Sequence, residues 1–232
     1  MALSPATLLL VAHGSSEPAA AEVVEELLRL IRRARPDLPT GAGYLDHGAP
    51  TLIDAVAALR GPAVVVPLLL AGGYHARVDI PRALAGARHP VATARPLGPD
   101  PRLCTAIEAR LGEAGVPRDA AIVLAAAGST DPAACGDVVA QAGLLAHARG
   151  TPVLPAFATA ASPTVAEALA ELRRAGHPHP GVARYLIGPG RFAEEVATAA
   201  QGRAAVGAPL GACPAVVEIV LSRYDETPLR PR

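Results

Sequence analysis

The chain has no Trp, one Met, two Phe and four Tyr in 232 residues. It also lacks an excess charge of either sign: Lys plus Arg and Asp plus Glu stand at 21 each. A nucleic-acid or membrane-surface partner calls for a basic excess, so both are disfavoured. Cysteine is scarce as well. Cys104, Cys135 and Cys213 are far apart, odd in number and without metal-ligand spacing, which excludes a disulfide framework and a cysteine metal site. The longest apolar run, residues 63 to 71, is interrupted by Pro67 and is too short to span a bilayer. Met1-Ala2-Leu3-Ser4-Pro5 carries no basic region and leads straight into an apolar stretch, which predicts no signal peptide and a cytoplasmic protein. What is abundant is aliphatic: hydrophobic residues make up 51% and charged residues 18%, enough to bury a sizeable core. The length suits one large domain or two small ones.

The stretch Thr7-Leu8-Leu9-Leu10-Val11-Ala12-His13-Gly14-Ser15-Ser16-Glu17-Pro18 organises the rest. Its apolar opening reads as a buried parallel strand. Gly14 then permits a tight turn or a close backbone approach. Ser15 and Ser16 can cap a helix that begins near Pro18. His13 is left at the carboxyl end of the strand, where open α/β sheets place ligands.

Beyond it, apolar residues at 20, 23, 24, 27, 28 and 31 follow helical spacing. A short strand near 41 to 45 leads to Asp46-His47-Gly48-Ala49-Pro50, and a second helix runs over about 51 to 60. The strongest strand covers 63 to 70, with Pro67 marking an irregularity or a place near its end. Ala71-Gly72-Gly73-Tyr74-His75 reads as a flexible loop, and Asp79 and Pro81 mark another helix start. A fourth strand at 91 to 94 and a fourth helix from Asp100-Pro101 complete four β-α units, the pattern of a parallel sheet.

The pattern then repeats. Residues 121 to 132 match the opening stretch at a shift of 114 positions. Ser162-Pro163-Thr164 echoes Ala49-Pro50-Thr51, residues 185 to 192 echo 68 to 75, and Pro209-Leu210-Gly211 echoes Pro96-Leu97-Gly98. Four matches in one order predict an internal duplication: two similar flavodoxin-like α/β lobes, each a four-stranded parallel sheet flanked by helices, over residues 1–115 and 116–232. A cleft between similar lobes is a common ligand site.

The halves differ in three polar positions. His13 corresponds to Ala127, Asp46 to Thr159 and His75 to Phe192. Scaffold kept while polar groups vanish predicts that His13, Asp46 and His75 form one unit in the first lobe. In the strand order 2-1-3 the strands they follow are neighbours, which brings them within reach of one another. Two imidazoles and a carboxylate suit Fe, Co, Ni or Zn with positions left open. They equally suit general-base chemistry near neutral pH. His47 reads as a loop residue, and His89, His147, His177 and His179 sit in turns.

The motifs Val11-Ala12-His13-Gly14-Ser15, Tyr44-Leu45-Asp46 and Pro67-Leu68-Leu69-Leu70-Ala71-Gly72-Gly73-Tyr74-His75, followed by Asp79-Ile80-Pro81, resemble those of the sirohydrochlorin chelatases, class II chelatases that insert a divalent metal into a tetrapyrrole. The resemblance covers essentially the whole chain, in the two-lobed form. It implies that His13 and His75 are the active-site histidines. Asp46 falls where many members carry glutamate, one methylene longer. The resemblance implies no permanently bound cofactor, the metal (Fe2+, Co2+ or Ni2+) being a substrate. It further implies a tetrapyrrole whose carboxylates need donors, for which Ser15, Ser16, Ser129, Arg77, Arg82 and Arg191 are candidates. Gly72, Gly73 and Tyr74 line the same loop, and Phe192 can flank the macrocycle. A chelatase for another porphyrin and a non-catalytic metal or tetrapyrrole carrier remain open alternatives. A monomer is expected.

Overall fold

A computed structural model describes residues 5–229; the reading of Met1-Ala2-Leu3-Ser4 therefore lies outside the described residues. Among the described residues, seven strands form two parallel sheets. The first has the order β2-β1-β3-β4, with β1 Thr7–Ala12, β2 Thr40–Tyr44, β3 Ala63–Pro67 and β4 Val91–Thr93. The central strand β1 pairs Leu8 with Thr40 on one side and with Val64 on the other. Leu8, Leu10 and Val11 are fully buried, as expected for a strand covered on both faces. Pro67 is the last residue of β3, where the missing N–H costs no ladder bond.

The second sheet has the order β6-β5-β7, with β5 Ile122–Ala126, β6 Val153–Phe157 and β7 Gly181–Arg184. Four strands were expected here and three form. The segment that should supply the fourth contributes a single parallel bridge, Val182 to Val206.

Helix α1, Pro18–Ala34, follows β1 because its apolar residues recur at helical spacing; Val24, Leu27, Leu28 and Ile31 are all buried. Each such burial stabilises by roughly 1.5–3 kcal/mol. Pro18 occupies the first helical position, and Arg32 and Arg33 in the last turn complement the helix dipole. Helix α2, Leu52–Ala57, starts at Thr51, whose side chain accepts the Asp54 N–H. A π-helical turn, His75–Asp79, continues into α3, Ile80–Leu84. The expectation of a flexible loop ending at His75 is corrected here: His75 opens the helical segment. The remaining helices are α4 Arg102–Glu113, α5 Pro132–Arg149, α6 Val165–Arg174, α7 Arg191–Ala200 and α8 Pro214–Asp225.

The described residues divide into two compact units, one running up to Leu97 and resuming at Ala212, the other covering residues 98–211. This differs from a division at 115 and 116, and buried polar contacts give the reason. Helix α4 belongs to the second unit, where the Asp100 N–H donates to Gln141 Oε1 at 2.9 Å and Arg149, its side chain buried, pairs with Glu108 at 2.6 Å. Helix α8 returns to the first unit. The fully buried Arg223 donates Nε to the Pro96 carbonyl at 3.0 Å and Nη2 to that of Leu97 at 2.9 Å, while the Tyr224 hydroxyl donates to the Ala6 carbonyl at 2.6 Å. Each unit holds its own aliphatic core, Leu9, Val11, Leu52, Val56, Val65 and Ile80 in the first, and Val123, Ala125, Leu169, Leu172, Val182 and Val196 in the second. The three cysteines are free thiols. Among the described residues no helix is long and apolar enough to cross a membrane.

Candidate functional site

In the first unit, β1, β2 and β3 lie side by side in the order 2-1-3, so the segments leaving their carboxyl ends converge. His13 leaves β1 directly. Gly14 follows with φ +94°, in the left-handed region that favours glycine, and a Cβ there would stand 1.9 Å from the His47 carbonyl oxygen. Both roles expected of Gly14, tight turn and close approach, are thus realised: the 46–48 loop crosses directly over it. The crossing is pinned by the Asp46 N–H donating to the His13 carbonyl at 2.9 Å.

His75 comes from the segment after β3. Its ring lies 4.6 Å from that of His13, centroid to centroid, with the planes tilted by 47°. The structure therefore brings the two histidines together. The Nδ1 atom of His13 is buried and has no hydrogen-bond partner among the described residues. Its imidazole titrates below the ordinary range, first because burial disfavours the charged ring and then because His75 is so close; the Asp46 carboxylate opposes the shift. The ring is consequently neutral at neutral pH, with a lone pair available. His75 is held differently: its Nδ1 lies 2.6 Å from Asp79 Oδ2.

Asp46 does not join as a third side-chain partner. Its carboxylate is exposed, 3.7 Å from His47 Nε2, and it acts on His13 through its backbone N–H and its charge. Among the described residues, no group of three or more His, Cys, Asp or Glu side chains is arranged to hold a metal ion. His13 and His75 thus form a ring pair, with the exposed Asp46 carboxylate nearby. The carboxylate bonded to an imidazole is Asp79, which in the sequence marks a helix start and closes the third motif of the family resemblance. The available signal was the spacing of His75 and Asp79, four residues apart in a first helical turn.

The other expected residues are distributed as follows. Ser15 Oγ accepts the Glu17 N–H at 3.1 Å, and Glu17, not a serine, holds the N-cap position of α1; Ser16 is exposed. The Gly73 carbonyl accepts the Arg77 N–H, Gly72 is half-buried beside it, and Arg77 and Arg82 are exposed on the following turn. Tyr74 stands edge-on to His75 at 6.3 Å and is 60% exposed. Ser129, Arg191 and Phe192 belong to the second unit. There Ser129 Oγ accepts the Asp131 N–H at 3.0 Å, and the Arg191 guanidinium lies 4.5 Å over the half-buried Phe192 ring.

Two parallel α/β units, with a histidine pair at the carboxyl ends of neighbouring strands in one of them, define a ligand-handling α/β protein of duplicated construction. The chain belongs to the CbiX family, whose model matches residues 7–114 and again 121–227. The sirohydrochlorin cobaltochelatase of Methanosarcina barkeri is 32% identical over 123 residues, 46% of this chain and 95% of that one. The sirohydrochlorin ferrochelatase of Bacillus subtilis is 33% identical over 139 residues, 57% of this chain and 53% of that one. Among solved structures, SirB from Bacillus subtilis with Fe3+ superposes with a TM-score of 0.80 at 26% identity, covering 95% of this chain and 94% of that one. The sirohydrochlorin chelatase SirB of Bacillus subtilis subspecies spizizenii, in complex with cobalt, gives 0.75 at the same identity and coverage.

Proposed function

We propose that this protein is a sirohydrochlorin chelatase, a lyase that inserts a divalent metal ion, Fe2+ or Co2+, into the tetrapyrrole on the way to sirohaem or cobalamin. The observation that carries the reading is the histidine pair of a CbiX-family chain, one ring half-buried and neutral, the other bonded to a carboxylate. The names of its relatives support the substrate, and relatives solved with iron and with cobalt support a metal of this class.

Insertion removes two protons from pyrrole nitrogens and forms bonds from those nitrogens to the metal. The pair suits both tasks. The neutral ring of His13 holds the incoming metal weakly or takes up a pyrrole proton, and His75 does the other. Asp46, exposed beside His13, favours the protonated ring by its charge and passes the proton to water. Ser15, Ser16, Gly72, Gly73, Tyr74 and Arg77, close in sequence to the two histidines, are proposed to meet the substrate's carboxylates and rim. The protein works in the cytoplasm as a monomer on a free small molecule, and the metal enters as substrate.

The test is the absorption spectrum of sirohydrochlorin with Fe2+ or Co2+, with and without protein. Conversion of many equivalents per protein is expected; conversion that stops at one equivalent means a carrier. His13→Ala is expected to lower the rate by about 10²–10⁴-fold, the usual worth of a positioned acid-base group. A His13→Ala protein that inserts metal at the wild-type rate overturns the assignment.

A further inference from the structure

The sequence reading gave Asp79 no chemical part, yet its carboxylate makes the shortest polar contact in the site, 2.6 Å from His75 Nδ1. An ionised carboxylate only accepts hydrogen bonds. In the ring's neutral form this bond puts the proton on Nδ1 and leaves the lone pair on Nε2. Free imidazole side chains exchange between both forms.

In the second half the counterpart helix forms without an aspartate at the matched position. At the matched offset of 117 positions, His75 becomes Phe192 and Asp79 becomes Val196, which is fully buried. The second half winds this segment as a plain α-helix, Arg191–Ala200. The first half winds its counterpart as a π-helical turn over His75–Asp79, closed by the Ile80 N–H donating to the His75 carbonyl. Histidine, aspartate and π-winding thus occur together in one half and are replaced together in the other. Such turns inside helices are frequent at functional sites.

We infer that Asp79 is a positioning residue: it fixes the tautomer and ring direction of His75, so that Nε2 is the atom presented to the metal or to the pyrrole proton. The inference rests on the chelatase reading above and names the group that readies one of its two histidines. Carboxylates that hold a metal-handling imidazole in this way are commonly worth 10–100-fold in metal affinity or activity.

The experiment compares wild type with Asp79→Ala and Asp79→Asn. In the metal-free protein, ¹⁵N-resolved NMR of the imidazoles is expected to show His75 protonated on Nδ1, with His13 as the internal control. Asp79→Ala shifts His75 toward the Nε2-protonated form, while Asp79→Asn, whose amide oxygen still accepts, stays closer to wild type. In the assay, Asp79→Ala raises KM for the metal about 10–100-fold with KM for the tetrapyrrole unchanged, and Asp79→Asn falls between. If Asp79→Ala does not fold, Asp79→Asn carries both measurements, with a partial tautomer shift expected. A wild-type His75 protonated on Nε2, or an unchanged tautomer and metal KM in the variants, overturns the inference. Absence of turnover in wild type, or full turnover in His75→Ala, overturns the chelatase reading instead; the NMR comparison is unaffected by that outcome.

Discussion

Residues 13 and 46 in the first half, and 127 and 159 in the second, are joined by the same backbone hydrogen bond, at 2.9 Å in both. The agreement extends along both loops. The Leu45 N–H donates to Ala12 as Ala158 does to Ala126, and the Leu97 N–H to Leu69 as Leu210 does to Leu186. Gly14 and Gly128 sit at φ +94° and +98°, each under a carbonyl that a Cβ would strike at below 2 Å. Yet only the first half places two imidazoles at these strand ends, and at 159 a threonine turns its hydroxyl back on the Ala127 carbonyl. The lesson is that the strand-end loop is a mechanical device independent of the chemistry mounted on it. Backbone bonds and one glycine hold its shape, so side chains at its tip can change without loss of fold.

The largest effect that sharpens this comparison is expected at the two glycines. Gly14→Ala and Gly128→Ala each force a side chain into a left-handed φ, about 1–3 kcal/mol, before the collision with the crossing loop is counted. Thermal unfolding should show losses of similar size for the two. Metal insertion should fall only for Gly14→Ala, because its crossing loop carries Asp46 and His47. Equal loss of activity in both would mean that the second half shares in the chemistry.

Phe192→Ala probes the position that replaced His75. The ring is half-buried and covered by Arg191, so its removal is expected to cost about 1–2 kcal/mol, below the 3–5 typical of a fully buried Phe. Denaturant titration measures this. A raised KM for the tetrapyrrole at unchanged metal dependence would show that position 192 has exchanged one functional task for another.

The smallest effect is one of pH. His13 titrates below its ordinary value of about 6.5 in the folded protein, so the unfolded chain takes up its proton first as pH falls. The neutral ring's stability contribution is present in full above that value and is lost as pH drops through the lower, folded-state value. Stability measured between about pH 7 and 5 should show this acid limb, weakened in His13→Asn, since Ala127 gives the second half no counterpart. An unchanged limb would place the His13 ring fully in solvent rather than in the half-buried setting described.

Much of this was legible beforehand because periodicity and repetition are local properties of a sequence. The buried run at 7 to 12, the glycine after His13, the spacing of the parallel strands and the duplicated motifs all follow from neighbours along the chain. The same comparison of halves singled out His13 and His75, since a side chain lost from a retained scaffold is visible without coordinates. Asp46 was singled out with them, but the carboxylate of a loop residue can point several ways. Sequence spacing says nothing of which, and it is Asp79 that meets an imidazole.

The sequence by itself determined two parallel α/β repeats and a histidine at the end of two strands, because hydrophobic burial, strand alternation and glycine's freedom at positive φ act over a few residues. Tertiary structure alone decided that α4 packs with the second unit and α8 with the first, and that the second sheet stops at three strands. The placing of the two helices depends on which buried polar group finds a partner, Arg223 on the carbonyls of 96 and 97 and Asp100 on Gln141. Those partnerships are settled by the cost of leaving a buried donor or acceptor unsatisfied, a property of the folded interior and not of any stretch of chain.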